Sequence, residues 1–492
     1  ALVLCCALSL TIVACGGDSI GPDDPSPPLG TPGITFVSGA NARDTAWALL
    51  HAQLIVELRD SLGRSVANAQ LLASSTQVLY KPECAWDCLG DAMLERQLLL
   101  GRTIESIGDI SPVVLRTDSV GRASVYIQMQ GIAGPAGVVV RAPSLARVDT
   151  AHFTIAPGAP SRALIQPQDT AVYLGTTFPL RVGITDRSGN LITPGGTVTA
   201  EPGVTITSDY ALTGTAYGVS RVALNAGGWA DTATIRVVPH GRIVALTEDF
   251  GSTFHVFNLD GNGAISFVGA EDESSHSPGP SWSPDGSQFV YSVASGAGPP
   301  RLFIQPLGGN ARRVITNPPA DLTDEAWPAW SRDGKWIYFS GRPTSEDAFS
   351  LWRVSPDGAT VEQLDLPSGC CYSQVHASPS PDGLKVAFIG TDVIQVVDLA
   401  TKQITTLGVT ADDVRWSPDG SRLAFGQGLV NPDGSDVRQL DGAIGNIGFD
   451  WSPDSKWLIL RGTDLQLYQV ATGIVIDLPY TRGFAAARWS PQ

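Results

Sequence analysis

The stretch Trp282-Ser283-Pro284-Asp285-Gly286 recurs along the C-terminal half of the sequence and determines its fold. In such a stretch Pro fixes φ, Asp accepts hydrogen bonds from its own turn amides, and Gly takes the left-handed conformation. The pattern therefore predicts one tight turn between two strands in every repeat. The further copies are Trp330-Ser331-Arg332-Asp333-Gly334, Ser380-Pro381-Asp382-Gly383, Trp416-Ser417-Pro418-Asp419-Gly420, Trp451-Ser452-Pro453-Asp454-Ser455 and the truncated Trp489-Ser490-Pro491.

Each copy of the turn is followed by further β-type runs. An apolar second strand comes first, as at 336–340 and 385–389, and a third strand follows, as at 351–354. A short fourth strand ends the unit, as at 361–364. Four strands in a unit of about 35–50 residues are typical of one blade of a β-propeller.

The two ends of this region complement each other. The region opens at 242–246 with a second-type strand that lacks its first strand, and it closes at 486–490 with a first strand that lacks its sequel. Joined, they complete one blade, and this closure leaves no free sheet edge between first and last blades. We therefore expect a six-bladed propeller over 240–492 whose N- and C-terminal strands pair.

The repeated turn resembles that of TolB-like, PD-repeat (WD40-like) proteins, and this resemblance implies an envelope-located binding scaffold. Two features depart from the family: Ser380 stands where Trp is expected, and β-rich segments replace the N-terminal α/β domain of TolB. These departures leave a Tol-like role in doubt.

Composition fits a chain made of short strands and many turns. The 492 residues are 43% hydrophobic and 16% charged, with 53 Gly and 35 Pro. This length predicts about two to four domains. The formal net charge of −16 disfavours binding to nucleic acid, because the chain repels phosphate backbones.

Two sandwich-like modules are predicted before the propeller. Residues 34–156 hold the runs 54–59 and 123–128 between Asp-x-x-Gly turns, with an insertion near 78–110, and 157–239 holds weaker runs of the same kind. Both resemble bacterial Ig-like modules of invasin-type surface proteins. Such modules act as spacers, with direct ligand binding as the alternative.

The N-terminal residues predict export. Residues 1–14 are apolar, uncharged and too short to span a bilayer, which is typical of a signal peptide. Ile12-Val13-Ala14-Cys15 resembles the lipobox of bacterial lipoproteins, which implies acylation of Cys15. An ordinary cleaved signal peptide is the alternative. Residues 16–33 predict a flexible tether, so we expect a lipid-anchored protein of the cell envelope, periplasmic or on the cell surface.

The remaining cysteines form two close pairs, Cys84/Cys88 and Cys370/Cys371. The spacing indicates disulfides in an oxidising compartment, and zinc is the rival interpretation, although only His376 lies near either pair. For Cys370 and Cys371 a vicinal disulfide, two buried thiols and an intermolecular link remain open. We expect no metal and no cofactor.

One face of the predicted propeller carries many charged loop residues. The loops that enter the first strands and those between second and third strands lie on this face. We expect an acidic rim that binds a cation or a basic partner segment, with ordinary solvated charge as the alternative. The candidate rim residues are Glu271, Asp272, Glu273, Asp324, Glu325, Arg342, Asp347, Asp412, Asp413, Tyr480 and Arg482.

The sequence shows no catalytic constellation. His240, His255, His276 and His376 are scattered, and none has metal-ligand spacing with acidic residues. We therefore expect a non-catalytic propeller that binds an envelope protein or an extracellular ligand. The alternatives are a carbohydrate-active lyase or hydrolase and a Tol-like envelope scaffold.

Overall fold

A computed structural model describes residues 33–46, 48–49, 53–80, 93–96, 98–102, 106–108, 112–247, 253–268, 279–294, 298–343, 348–366, 376–426, 428–440, 448–479 and 481–491. The chain is all-β, with a short 3-10 turn at Pro143–Leu145. It divides into two compact units, 1–161 with 185–192, and 162–184 with 193–492. Within the described ranges, no helix combines the length and the apolar character that crossing a membrane requires.

The first unit contains two larger sheets and one hairpin. The four-stranded sheet has the order β1-β3-β9-β7, the five-stranded sheet has the order β2-β11-β10-β4-β8, and β5 pairs with β6. The strands are β1 (Gly33–Ser38), β2 (Arg43–Thr45), β3 (Leu54–Arg59), β4 (Gln70–Ser75), β5 (Gln77–Tyr80), β6 (Met93–Arg96), β7 (Leu98–Gly101), β8 (Val113–Arg116), β9 (Arg122–Met129), β10 (Gly134–Ala142) and β11 (Arg147–Ala156).

The two larger sheets share one hydrophobic core. Strand β9 alternates buried side chains with exposed or partly exposed ones along its whole length, as the period of two in its sequence predicts. Its buried Val125 and Ile127 belong to the same cluster as Val138 from the other sheet and Phe153 beside it. The apolar faces therefore meet between the sheets.

Asp-x-x-Gly turns connect strands in this unit as the sequence predicts. Asp118 Oδ1 accepts hydrogen bonds from the amides of Val120 and Arg122 at 2.9 and 2.8 Å. Gly121 has φ +78°, and a Cβ there would lie 2.8 Å from the carbonyl oxygen of Leu58. Glycine is required at this position for both its conformation and its size.

The second unit begins with ten short strands. Their sheets have the orders β12-β15-β16, β13-β21-β20-β17 and β14-β19-β18, around a core that includes Leu212, Val222 and Ile235. The strands are β12 (Arg162–Gln166), β13 (Asp169–Tyr173), β14 (Thr177–Pro179), β15 (Arg181–Thr185), β16 (Leu191–Pro194), β17 (Thr197–Ala200), β18 (Val204–Ile206), β19 (Ala211–Gly214), β20 (Gly218–Ala226) and β21 (Trp229–Val238).

Six four-stranded antiparallel sheets follow in the described residues, here numbered 1 to 6 in chain order. Sheet 1 contains β24 (Ile265–Val268), β23 (Thr253–Asn258), β22 (Arg242–Thr247) and β45 (Phe484–Trp489). Sheet 2 contains β25 (Ser281–Trp282), β26 (Gln288–Val293), β27 (Arg301–Pro306) and β28 (Arg312–Arg313). Sheet 3 contains β29 (Leu322–Trp330), β30 (Ile337–Pro343), β31 (Ser350–Val354) and β32 (Val361–Gln363).

The last three sheets repeat this order. Sheet 4 contains β33 (Ser378–Pro379), β34 (Lys385–Gly390), β35 (Val393–Asp398) and β36 (Ile404–Thr410). Sheet 5 contains β37 (Val414–Trp416), β38 (Leu423–Phe425), β39 (Gly428–Val430) and β40 (Arg438–Gln439). Sheet 6 contains β41 (Asp450–Trp451), β42 (Trp457–Arg461), β43 (Leu465–Gln469) and β44 (Val475–Asp477).

The tail of the chain completes sheet 1. Strand β45 pairs antiparallel with β22, with Trp489 opposite Ile243 and Ala487 opposite Ala245. This is the pairing that the complementary ends of the repeat region predict. It gives sheet 1 the same four strands as the others, one of them supplied by the far end of the chain.

Each sheet packs against the next through buried side chains. Val244 of sheet 1 clusters with Phe289 of sheet 2, and four further clusters join sheets 2 to 3, 3 to 4, 4 to 5 and 5 to 6. Strands β41 and β42 of sheet 6 contact β45 of sheet 1. Successive sheets are therefore in contact all the way round, from sheet 6 back to sheet 1.

The repeated turn uses its Ser and Asp in the same way each time. Ser283 Oγ donates to Asp285 Oδ1 at 2.6 Å and accepts from the amide of Gln288 at 3.2 Å. The same Ser-to-Asp bond forms from Ser331, Ser380, Ser417 and Ser452. The prediction that Ser380 replaces a Trp is therefore wrong, because Ser380 is the turn serine and Pro379 stands at the Trp position.

The same turn also connects the third and fourth strands of sheet 3, a second use of the motif that the sequence did not lead us to expect. Ser355 Oγ donates to Asp357 Oδ1 at 2.5 Å, and Gly358 has φ +76°. The Ser-Pro-Asp-Gly stretch thus specifies a hairpin at either place. A Trp directly before the stretch indicates that the hairpin begins with the innermost strand.

Candidate functional site: a cavity where six sheets meet

The innermost strands of the six sheets surround one cavity of about 320 Å³. Each sheet contributes three equivalent residues: the one at the Trp position, the one before it, and the one after the turn serine. The residues before the Trp position form what we call the inner ring: Ser281, Ala329, Ser378, Arg415, Asp450 and Arg488. The residues after the serine form the mouth ring: Pro284, Arg332, Pro381, Pro418, Pro453 and Pro491.

Three inner-ring side chains bind the next sheet. Ser281 Oγ accepts a hydrogen bond from the amide of Trp330, and Ser378 Oγ accepts one from the amide of Trp416, both at 2.9 Å. Asp450 Oδ2 accepts from the amide of Trp489, also at 2.9 Å. These bonds join sheet 2 to 3, sheet 4 to 5 and sheet 6 to 1.

The other three inner-ring side chains cannot accept such a bond. Ala329 has no polar side chain, and Pro379, at the equivalent Trp position of the next sheet, has no amide hydrogen to donate. Arg415 and Arg488 carry only donors, and instead their backbone carbonyls accept from Trp451 Nε1 at 3.2 Å and Trp282 Nε1 at 3.1 Å. Both guanidinium groups point back to the preceding sheet, where Arg488 Nη1 donates to the carbonyl oxygen of Phe449 at 2.9 Å and Arg415 Nη1 to that of Ala377 at 3.4 Å.

A buried carboxylate lies beside these two arginines. Asp413 Oδ2 is 3.5 Å from Arg415 Nη2 and 3.8 Å from Arg488 Nη2. On its other side, Asp413 Oδ1 is 3.4 Å from His376 Nδ1. Arg488 also donates from Nη1 to the carbonyl oxygen of Phe449 at 2.9 Å. One carboxylate thus serves two guanidinium groups from different sheets.

The two carboxyl groups of this cluster are shifted in opposite directions. Burial opposes ionisation of Asp413, but Arg415, His376 and Arg488 together outweigh it and hold its pKa below the usual range. At Asp450 burial prevails over Arg488 and Arg415, and the pKa is raised. Burial and the neighbouring Arg415 lower the pKa of Arg488 to about 10, although both carboxylates oppose this.

A second layer lies three residues before the Trp position. Trp327 stacks on His376 with ring centroids 5.1 Å apart, and its φ of +50° is rare for a non-glycine residue. Gly279 belongs to the same layer, and a Cβ there would lie 3.2 Å from Arg488 Cζ. Glycine leaves room for the guanidinium. The layer comprises Gly279, Trp327, His376, Asp413, Gly448 and Ala486.

The candidate acidic rim is only partly on the surface. Asp324, Glu325 and Asp413 are buried, so these three side chains lie beneath the surface and not on an exposed rim. Asp324 pairs with Arg342 at 2.9 Å, and Glu325 pairs with Arg301 and Arg313 at 3.1 and 3.4 Å. The carboxylates of Asp324 and Glu325 are thus paired with arginines of neighbouring strands. These arginines are distant from them in the sequence.

The other rim candidates fall into two groups. Asp412 and Arg482 are exposed and Arg342 is partly exposed, so they remain predictions for a surface contact. The rest lie outside the described residues, as do all the cysteines assigned to lipidation or disulfides: Glu271, Asp272, Glu273, Asp347, Tyr480, Cys15, Cys84, Cys88, Cys370 and Cys371.

The cavity residues were missed because the repeats were aligned only on their turn. Alignment of all six copies on the turn serine places Arg415, Asp450 and Arg488 in one column with Ser281 and Ser378. Since strand side chains alternate, this column faces the axis when Trp faces the neighbouring sheet. His376 and Asp413 share a second column two residues earlier. Charged residues in axis-facing columns were the available signal.

Within the ranges that the structure describes, no three His, Cys, Asp or Glu side chains are grouped so as to hold an ion. His376 and Asp413 form a pair, and the groups facing them are guanidinium and indole.

Comparisons with known proteins give distant likenesses. No family model matches the chain. An uncharacterized protein from Agrobacterium fabrum is 26% identical over 214 residues, which cover 38% of this chain and 67% of that protein. TolB from Acinetobacter baumannii has a TM-score of 0.44 at 16% identity, over 60% of this chain and 82% of its own. A protein assigned as TolB from Agrobacterium tumefaciens has a TM-score of 0.37 at 20% identity, over 51% of this chain and 99% of its own.

Proposed function

We propose that this chain is an exported, lipid-anchored cell-envelope protein in which two Ig-like modules carry a six-bladed β-propeller. The propeller binds a segment of a partner protein in the cavity where its sheets meet. The sheet-to-sheet contacts and the pairing of β45 with β22 support the closed ring. The sequence resemblances support the anchor and the modules.

The observation that carries the binding role is the charged floor of the cavity. Sheets 2 and 4 are joined to their neighbours by the serines Ser281 and Ser378, without charge. Arg415, Asp450 and Arg488 occupy the equivalent positions, where burying charge opposes folding. Serine makes the equivalent sheet contact without charge, and charged groups at the floor of a concave pocket are typical of a ligand site.

The enzyme alternative receives less support. A glycosidase requires two carboxyl groups facing its substrate, and Asp450 is the one carboxyl group among the described cavity-lining residues. His376 and Asp413 are buried and do not line the cavity. A Tol-like scaffold also acts by binding other proteins. Unlike an enzyme, it converts no substrate.

Photo-crosslinking from the mouth of the cavity tests this role. A photoreactive residue at the exposed Pro453 or Pro491 is expected to capture a partner in envelope extracts, and one at Val268, which is 74% exposed on an outermost strand, is not. Ala329→Phe fills the cavity from a position without a sheet-joining bond, and Ala329→Ser is the matched control. Adducts that persist in folded A329F as in A329S would refute cavity binding.

A further inference from the structure

We infer that the partner segment enters this cavity with a single carboxylate, which Arg415 and Arg488 bind. This inference rests on the proposed binding role and names the chemistry of the ligand. The cavity offers more cationic hydrogen-bond donors than anionic acceptors. The contacts of Arg415, of the two nearby carboxyl groups and of Arg332 support this.

Arg415 has hydrogen-bonding capacity that the protein does not use. Its Nε is buried without a hydrogen-bond partner, and Nη1 reaches the carbonyl oxygen of Ala377 at 3.4 Å. The ion pair from Nη2 to Asp413 is 3.5 Å long, whereas a charge-assisted bond is about 2.7–2.9 Å. A guanidinium held by contacts this long is poised to form shorter bonds with an added oxyanion.

The negative charge available to the two arginines is small. Asp413 Oδ2 is shared between Arg415 and Arg488, at 3.5 and 3.8 Å. Asp450 Oδ2 already accepts from the amide of Trp489, and burial raises the pKa of Asp450 because it disfavours the charged form. The floor of the cavity therefore favours an anion.

A third guanidinium stands at the mouth. Arg332 takes the position that Pro holds in the other five sheets, and it is exposed. Its Nη1 donates to the carbonyl oxygen of Pro418 at 2.6 Å, from sheet 3 to sheet 5. Arginine side chains are therefore present both at the mouth and at the floor of the cavity. The rest of the cavity wall is formed mainly by Pro and Trp side chains.

The same surroundings favour a peptide with one carboxylate over an acidic polysaccharide. The net charge of −16 repels a polyanion but acts weakly on a segment with one charge. The indoles of Trp282, Trp330, Trp451 and Trp489 are 4–8% exposed, and among the described cavity residues the partly exposed Trp416 is the remaining indole, so sugars find little open stacking face. Exposed pyrrolidine rings at the mouth suit the side chains of an extended peptide.

Fluorine NMR with 4-fluorobenzoate and its neutral isostere 4-fluorobenzamide tests the carboxylate directly. The benzoate is expected to bind the full chain, more weakly as salt increases, and the benzamide is not. Arg415→Gln is expected to weaken benzoate binding about tenfold or more, the loss of one charge-assisted hydrogen bond. Arg422→Gln is the matched control, because Arg422 pairs with Asp436 in the same sheet away from the cavity.

A second variant covers the case in which R415Q does not fold. Arg415→Lys keeps the charge opposite Asp413 but lacks the planar fork, so it is expected to fold and to bind benzoate several-fold more weakly. Equal benzoate affinity in wild type, R415K and R422Q, or equal binding of the benzamide, would overturn the carboxylate assignment.

Competition separates the sources of the carboxylate. A short Pro-rich peptide with one Glu is expected to displace the fluorobenzoate, its Gln counterpart is not, and oligogalacturonate is not. Displacement by oligogalacturonate alone would overturn the peptide assignment. If cross-links from the cavity mouth persist but benzoate does not bind, the carboxylate inference is refuted and the proposed binding role stands. If neither cross-links nor benzoate binding are observed, the proposed binding role is refuted as well.

Discussion

The same isosteric substitution at two buried carboxyl groups, Asp413 and Asp450, is expected to have opposite effects on stability. Asp413→Asn removes the carboxylate that neutralises Arg415 and Arg488, and Asp450→Asn removes one whose charge burial disfavours. Both variants keep an oxygen that accepts hydrogen bonds. The difference between them therefore reports the charge and not the shape of the side chain.

For Asp413→Asn we expect a loss of about 3–5 kcal/mol at neutral pH, the usual effect of removing one partner from a buried ion pair. Asp413 is fully buried, and Arg488 beside it is 4% exposed, so solvent screens this pair little. A loss of this size lowers the thermal midpoint by at least about 5 °C. Because the folded pKa of Asp413 is depressed, its contribution is present above the unfolded value of about 3.9 and disappears as pH falls through the folded pKa.

For Asp450→Asn the sign is reversed. The folded pKa of Asp450 is raised, so ionisation of the wild-type group destabilises the fold increasingly as pH rises above about 3.9. The amide oxygen of Asn still accepts from Trp489. D450N is therefore expected to match wild type near pH 4 and to exceed its thermal midpoint at pH 8.

Differential scanning calorimetry of the full chain between pH 4 and pH 8 distinguishes the two cases. The expected pattern is a large deficit for D413N throughout this range and a gain for D450N that grows with pH. A D450N protein less stable than wild type at pH 8, or a D413N protein as stable as wild type at pH 7, would show that the charge assignments are wrong.

Two further predictions concern the ring of sheets. Trp451→Ala removes a 4% exposed indole that donates to Arg415, and calorimetry is expected to show a loss of about 3–5 kcal/mol; an unchanged midpoint would contradict its packing role. Deletion of 483–492 removes β45, so amides of β22 are expected to lose protection in hydrogen exchange, and retained protection would contradict the closure.

The architecture of the repeat region was largely predictable from local rules. Pro, Asp and Gly specify the turn wherever they occur together, so the copies of the turn located one hairpin in each of sheets 2 to 6. The opening run 242–246 and the closing run 486–490 are complementary halves, which predicted the observed pairing of β22 with β45. These inferences required only the spacing of strands along the chain.

The cavity was not predictable in the same way, because it depends on which residues of separate repeats face one another. Asp413 and His376 are 37 positions apart in sequence, yet their side chains lie within 3.4 Å. The buried state of Glu325 depends on Arg301 and Arg313 from the preceding sheet. Because these residues lie in predicted loops, the sequence suggested that they are exposed. In the structure they are buried, and each forms an ion pair with a residue of a neighbouring sheet.

The inner ring shows that the six sheets are equivalent in fold but not in chemistry. A hydrogen-bond acceptor at Ser281, Ser378 and Asp450 alternates around the ring with residues that cannot accept. Packing alone would be satisfied by Ser or Ala at all six positions, as sheets 2, 3 and 4 demonstrate. Charge is confined to sheets 5, 6 and 1, where Arg415, Asp450 and Arg488 are adjacent around the ring. A ring that is uncharged on one side and charged on the other can orient an asymmetric ligand, and so the charged half, more than the repeated turn, is where specificity for a partner is expected to lie.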